Sequence, residues 1–227
     1  MKFREFESVQ KAAEALADEV GLAWRQGFSA RAAASLAVPG GRTPVPFFHA
    51  LSLLALDWSQ VLVTLTDERW VSEADAASNA RLVRSELLQQ QAQVARFVPL
   101  YSGGASAADD AAAASLRLAG MPLPFDAVVL GMGEDGHFAS LFPGSPGLVE
   151  ALNDAVPACV PMQAPAAPAQ RLSWNLAALR ATRRLMLLVT GATKRDLLMS
   201  AAGADPLRLP IAALMQGEPG LEVFWAP

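Results

Sequence analysis

Cysteine is nearly missing from this 227-residue chain: Cys159 stands alone, so the chain can close no intramolecular disulfide and can build no multi-thiolate metal site. One thiol fits a reducing compartment, and the expectation is a cytoplasmic protein in which Cys159 is buried filler rather than a nucleophile. Histidine is almost as scarce. His49 and His137 are far apart and offer no H-x-x-x-H ligand spacing, so metal-independent chemistry without a cofactor is expected. Charge is sparse too, at 18% of residues, with 18 basic against 22 acidic side chains and a net charge of −4. An acidic chain is a poor match for nucleic acid or an anionic membrane, which are bound by an excess of Lys and Arg. Any anionic ligand must therefore be held by a local cluster. No apolar run approaches the roughly 18–20 residues that span a bilayer, and the opening MKFREFE mixes charges where a secretory leader needs an apolar stretch.

What is present is a foldable composition, 52% hydrophobic, with 16 glycines and 16 prolines, close to average usage. The length suits one large domain, residues 1–227, with a radius of gyration near ~17 Å. Four short Val- and Leu-rich runs, at 33–38 (AASLAV), 60–66 (QVLVTLT), 125–131 (FDAVVLG) and 184–190 (RLMLLVT), read as strands buried on both faces. Weaker strand candidates lie at 2–6, 96–100, 156–162 and 221–225. Stretches of helical character fall between them: 8–26 behind Ser8 as N-cap, 78–92 behind Ser78, and the Ala-dense 106–119 and 192–202. The Pro/Ala-rich stretch 161–170 reads as a surface loop. Alternating strands and helices predict an α/β fold: an open, mainly parallel sheet with helices on both faces, a Rossmann-like three-layer sandwich.

Each strong strand is followed at once by its most polar or Gly-rich segment: PGGRTP (39–44), DERW (67–70), MGEDGH (132–137) and GATK (191–194). In an open parallel sheet, ligands bind outside the carboxyl ends of the strands, so these four segments should converge on one edge. Gly40 and Gly41 allow close approach of the backbone to a ligand, Thr43 adds a hydroxyl, and Pro44 suits the first position of a helix. That is a phosphate cradle, although an ordinary strand-to-helix turn would look alike. It is no Walker A loop, because no Gly-Lys-Ser/Thr follows. Lys194 can add a point charge, and Arg42 and Arg171 can add bidentate clamps, or all three can simply be surface charge.

Gly131 to Gly136 matches G-x-G-x-x-G after a strand. A dinucleotide reading is rejected, since Pro143 and Gly144 end any helix within two turns and Glu134 and Asp135 sit where a pyrophosphate needs positive potential. The glycines instead let backbone N–H groups, near Gly133, face a reacting carbonyl. His137, an imidazole type that ordinarily titrates near pH 6.5, is the candidate general base; the plain alternative is a satisfied polar side chain. Asp67 is expected to orient or share a proton with His137, and Arg69 to steady developing negative charge, against the alternative of a solvated loop with an internal ion pair. His49, within FFHALSLL, reads as structural. A Ser140 nucleophile is disfavoured because the G-x-S-x-G elbow is absent and Ser140 should share a short helix with His137.

Taken together, PGGRTP (39–44), TDERWV (66–71), SN (78–79), FDAVVLGMGEDGHFASLFPGS (125–145), RLSWN (171–175) and TGATKRDLL (190–198) resemble the 6-phosphogluconolactonase family. The resemblance covers nearly the whole chain and implies an α/β fold shared with glucosamine-6-phosphate deaminases. It implies hydrolysis of 6-phospho-D-glucono-1,5-lactone to 6-phosphogluconate in the pentose phosphate pathway, with a sugar-phosphate lactone as the partner molecule. It also implies that Gly40, Gly41, Thr43, Arg171 and Lys194 hold the phosphate and that Asp67, Arg69 and His137 lie at the lactone. Two positions depart from the family pattern: Arg42, where Ser or Thr is common, and Phe138, where Thr is common. The nearest rival is a deaminase or isomerase of the same fold, disfavoured by Arg69, where deaminases more often carry Tyr. A non-catalytic sugar-phosphate sensor is the other rival, and the acidic balance opposes contact with DNA. The expected assembly is a monomer or weak homodimer.

Overall fold

The four Val- and Leu-rich runs form the middle of one sheet. In a computed structural model, which describes residues 1–153 and 157–227, they become β2 (Ala34–Val38), β3 (Val61–Leu65), β6 (Ala127–Leu130) and β9 (Leu185–Thr190). The outer positions go to β1 (Lys2–Glu5), β5 (Arg96–Val98) and β10 (Leu221–Ala226). The order across the sheet is β1-β10-β9-β6-β2-β3-β5, and each neighbouring pair is parallel. β2 and β6 are buried along their whole length and β9 along nearly all of it. Strands buried on both faces tolerate apolar side chains at every position, which is why the runs are continuous rather than alternating.

Three further strands, β4 (Asp67–Arg69), β7 (Cys159–Gln163) and β8 (Gln170–Trp174), form a separate antiparallel sheet in the order β4-β8-β7. This corrects the loop expected at 161–170, whose two ends are paired strands with only the middle forming the connection. It also moves the strand expected at 156–162 out of the main sheet; Val156 itself lies outside the described residues. Cys159 begins β7 and is buried, and burial pushes its thiol up to about 12, so it is inert filler as expected.

The principal helices are α1 (Val9–Arg31), α2 (Val45–Ser52), α3 (Asn79–Glu86), α4 (Ala107–Ala119) and α7 (Ala192–Ser200), with single-turn α5 (Leu148–Ala151), α6 (Leu176–Arg180) and α8 (Ile211–Leu214) between them. Ser8, Ser78 and Ser106 cap α1, α3 and α4, each hydroxyl accepting an N–H three residues on. α1 buries Ala13, Leu16, Ala17, Val20 and Trp24, a stripe at helical spacing, against α2 and strands β2, β9 and β10. Trp24 meets Trp58 edge-on, ring centres 4.9 Å apart. The helix expected over 78–92 stops at Glu86 and is followed by a one-turn 3-10 segment at Gln90–Val94, where Gln90 takes a φ of +50°. α4 packs on β7 and β8. Among the described residues, no helix is long and apolar enough to cross a membrane.

The amino end of the sheet is fastened by a buried charge. Asp126, 0% exposed, accepts from the Ser35 N–H at 2.8 Å and from Arg31 Nη2 at 2.6 Å, tying β2, β6 and the end of α1 together. Removing it leaves the buried Ser35 N–H unpaired and Arg31 with the Pro124 carbonyl and partial solvent, which costs about 3 kcal/mol. Asp126→Ala should therefore lower the melting temperature by on the order of 10 °C while leaving the KM of the surviving folded protein unchanged, as thermal melting and steady-state kinetics would show.

Candidate active site

All seven parallel strands end on the same edge, and a cleft of about 220 Å³ opens there. Its wall is built from Pro39, Gly40, Gly41 and Thr43 after β2, Asp67 and Arg69 in β4, Gly131, Met132, Gly133, His137 and Ala139 after β6, Lys194 after β9, and Asn79 of α3. The four segments expected to converge do so. Arg42 is exposed and is not part of this wall. Arg171 is not on the wall either, but it pairs directly with Arg69 across the β4–β8 ladder.

The segment 134–145 contains no helix, contrary to the expectation for His137 and Ser140. Gly136 and Ala139 adopt φ values of +75° and +48°, which break helical continuity, and the chain folds back in turns with a bridge between Phe138 and Leu141. The glycine fingerprint therefore opens no helix for a pyrophosphate. Instead the tight turn presents His137 to the cleft with Asp135 beside it: Asp135 Oδ1 lies 2.5 Å from His137 Nδ1 and also accepts the His137 backbone N–H at 3.1 Å. A carboxylate on Nδ1 places the ring proton there and leaves Nε2 as the basic nitrogen. The carboxylate that orients His137 is thus Asp135, not Asp67. The ring also rests on Phe142, centres 4.4 Å apart. A Cβ at Gly133 would fall 2.2 Å from the imidazole, so glycine there is what lets the ring lie down. The Gly133 N–H donates to the His137 carbonyl at 2.9 Å, so it is not the donor to a reacting oxygen that the sequence suggested.

Asp67 is 8% exposed and is fastened by two hydroxyls, Ser140 Oγ at 2.7 Å and Thr66 Oγ1 at 3.3 Å. Ser140 is therefore no nucleophile but a brace, and its own N–H donates to Ser173 Oγ on β8 at 3.2 Å. The next residue, Glu68, is fully buried, which removes the alternative of a solvated loop for Asp67 to Arg69. Its carboxylate accepts the N–H groups of Arg69, Asn79 and Ala80, each at 2.7 Å, and the Ser78 hydroxyl at 3.2 Å. Burial pushes its carboxyl above the ordinary range, against the pull of those three N–H groups. The result pins the amino end of α3 to β4. Asn79, which sequence reasoning passed over as half of an SN dipeptide, consequently lies beside Arg69: its Oδ1 accepts from Arg69 Nη1 at 2.6 Å and its Nδ2 donates to the Asp67 carbonyl at 2.9 Å. Arg69 Nη1 also donates to the Ala77 carbonyl at 2.8 Å.

Three cations surround this edge. Lys194 stands in the first turn of α7, where the helix dipole disfavours positive charge. Gly191, with φ +87° and ψ 155°, makes the turn that aims it. Arg171 is 8% exposed and its Nε is buried without a hydrogen-bond partner. Burial, and then the charge of Arg69, hold its guanidinium below its ordinary range. The charges of Asp67 and Glu68 offset part of that repulsion. His49 lies elsewhere, exposed and paired with Glu86 at 2.8 Å, which ties α2 to α3.

Comparison with known proteins agrees with this geometry. Residues 7–225 match the family model described as glucosamine-6-phosphate isomerases/6-phosphogluconolactonase. The chain is similar to the 6-phosphogluconolactonase of Rhizobium meliloti (strain 1021), 45% identical over 225 residues, covering 98% of this chain and 97% of the relative. It is 44% identical over 222 residues to that of Pseudomonas aeruginosa, covering 97% and 92%. The crystal structure of a 6-phosphogluconolactonase from Shewanella baltica superposes with a TM-score of 0.96 at 37% identity, covering 100% of this chain and 98% of the other. A monomeric glucosamine-6-phosphate deaminase shares the fold at 18% identity, with a TM-score of 0.77. The chain belongs to the glucosamine-6-phosphate isomerase/6-phosphogluconolactonase family.

Proposed function

We propose that this protein hydrolyses 6-phospho-D-glucono-1,5-lactone to 6-phosphogluconate, in the oxidative pentose phosphate pathway. The observation that carries this reading is the placing of a histidine with Asp135 on its Nδ1, and of Arg69 and Lys194, on the wall of one small cleft, with Arg171 next to Arg69 behind it. A base at one end and an anion site at the other fit a phosphorylated ester. One sheet running from Lys2 to Ala226 supports a single domain, and the lone buried thiol supports a cytoplasmic protein. The acidic balance supports a small-molecule partner without nucleic acid, handled by a monomer or weak homodimer.

In the proposed mechanism, His137 Nε2 removes a proton from a water that attacks the lactone carbonyl carbon. The carbonyl π pair moves onto oxygen, and Arg69 receives that developing oxyanion. Both Nη1 protons of Arg69 are committed to Ala77 and Asn79, which leaves the rest of the guanidinium for substrate. As the carbonyl re-forms, the bond from the carbonyl carbon to the ring oxygen breaks, and the imidazolium returns its proton to that oxygen. The products are a free hydroxyl and a carboxylic acid, which then loses its remaining proton, the second one from the water, to solvent. Asp135 keeps the ring in the working tautomer and stabilises the imidazolium. Asp67, braced by Ser140 and Thr66, accepts from a hydroxyl of the sugar or from the attacking water. Gly40, Gly41, Thr43, Lys194 and Arg171 hold the phosphate. Arg42, exposed beyond the wall, contributes long-range attraction at most.

The test is hydrolysis of freshly prepared lactone, coupled to 6-phosphogluconate dehydrogenase and corrected for spontaneous opening. His137→Ala should lose about 10²–10⁴-fold in kcat while still binding 6-phosphogluconate; full kcat in that variant would remove His137 as the base. Asp135→Asn should fall between wild type and His137→Ala in the same assay. Lys194→Ala should chiefly raise KM, by about 10–100-fold, as expected for a lost charge-assisted contact of about 1.5–3 kcal/mol. Ammonia release from glucosamine 6-phosphate without lactone hydrolysis would decide for the deaminase.

A further inference from the structure

We propose that Asn79 is a positioning residue that holds Arg69 toward the lactone and sets its spacing from the phosphate loop, an inference that rests on the lactonase reading of Arg69. Its side-chain amide is fixed by two bonds of opposite kind. Oδ1 faces a guanidinium, which only donates, and Nδ2 faces a carbonyl, which only accepts, so one orientation of the amide satisfies both. An arginine side chain has four rotatable bonds, and one commitment would leave it free to swing. Arg69 has two on the same nitrogen, to the Ala77 carbonyl and to Asn79, and these turn the fork in a single direction.

The second half of the inference comes from Gly40. A Cβ there would lie 1.9 Å from Asn79 Oδ1 and 2.1 Å from Asn79 Cγ. Gly40 does not have a left-handed φ, so its backbone is open to alanine, and the three nearest atoms a Cβ would meet all belong to the Asn79 amide. The phosphate loop therefore rests directly on the group that aims Arg69. Through this contact, the two ends of the substrate are held at a fixed separation: phosphate at Gly40 and Gly41, lactone carbonyl at Arg69. A phosphorylated lactone of the wrong length would have to displace Asn79 to engage both ends.

The position tolerates the experiment. The backbone N–H of Asn79 reaches Glu68 whatever its side chain, and Ser78 remains as the cap, so α3 stays anchored in Asn79→Ala. In the coupled lactone assay, Asn79→Ala should lower kcat by about 10–100-fold with KM within about 3-fold, the pattern of a mis-set catalytic group rather than a lost binding contact. In an Arg69→Ala background, the same substitution should change kcat by less than about 2-fold, because the group it positions has gone. Gly40→Ala alone should lower kcat as Asn79→Ala does, and should also raise KM because Gly40 lines the phosphate loop; once Asn79 is already alanine its effect on kcat should shrink to less than about 2-fold while the rise in KM remains.

Equal losses in the presence and absence of Arg69, or an unchanged kcat in Asn79→Ala, would overturn the inference. Should Asn79→Ala fail to fold by thermal melting, Gly40→Ala decides the matter, and unchanged kcat there counts against it. A wild-type protein that does not accelerate lactone hydrolysis refutes the lactonase reading itself; an active wild type with independent effects refutes only the role of Asn79.

Discussion

Seven strands that all point the same way leave the chain no choice about where its chemistry can sit. Each crossover must return to the amino edge before the next strand begins, so helices take up the return paths and the loops at the carboxyl edge are free of that duty. Those loops can hold glycines, a histidine and charged side chains without disturbing the core. The amino edge is used differently: Asp126, Arg31 and Ser35 bind strands and helix end to one another there. One end of the sheet is therefore closed by its own charges, and the other turns Arg69, His137 and Lys194 toward a cleft.

Turning an open edge into a defined site takes the second, smaller sheet. β4 is only three residues long, yet its register with β8 sets Arg69 against Arg171 and Asp67 against Ser173. Ser173 in turn holds Ser140, and Ser140 holds Asp67, so the turn that carries His137 is fastened to the strand that carries Asp67. Glu68, pointing to the opposite side of β4, gathers the amino end of α3. A three-residue strand thus works in both directions at once, one face toward substrate and the other toward a helix end.

The main sheet was legible because burial on both faces writes itself into the sequence as unbroken Val and Leu. Two helix starts were legible because Ser8 and Ser78 are caps with a known use, whereas Ser106, which caps α4 in the same way, stood only as the first residue of an Ala-dense stretch. The cleft was legible in outline, since polar and glycine-rich segments stood after each strong strand. β4 was not, because Asp-Glu-Arg has the composition of a solvated loop, and nothing local announces that three backbone N–H groups will meet the middle carboxylate. Asn79 was missed for the same reason: its role depends on where β4 places Arg69, a contact between segments rather than a property of either. The partner of His137 lay two residues away, as Asp135, but a strand-end aspartate elsewhere in the chain competed for the role. Helical expectation for 137–140 failed because positive φ at Ala139, a residue type that rarely takes it, leaves no mark in composition.

Lys194 shows what the cleft costs the protein. A lysine at the positive end of α7, with two arginines opposed on neighbouring strands, is an arrangement that folding alone would select against. Replacing Lys194 by a neutral residue should make the empty protein more durable and less able to do its work. The ligand settles that conflict: an occupied cleft relieves the repulsion, so the most stable form of the molecule is the one with substrate or product in it.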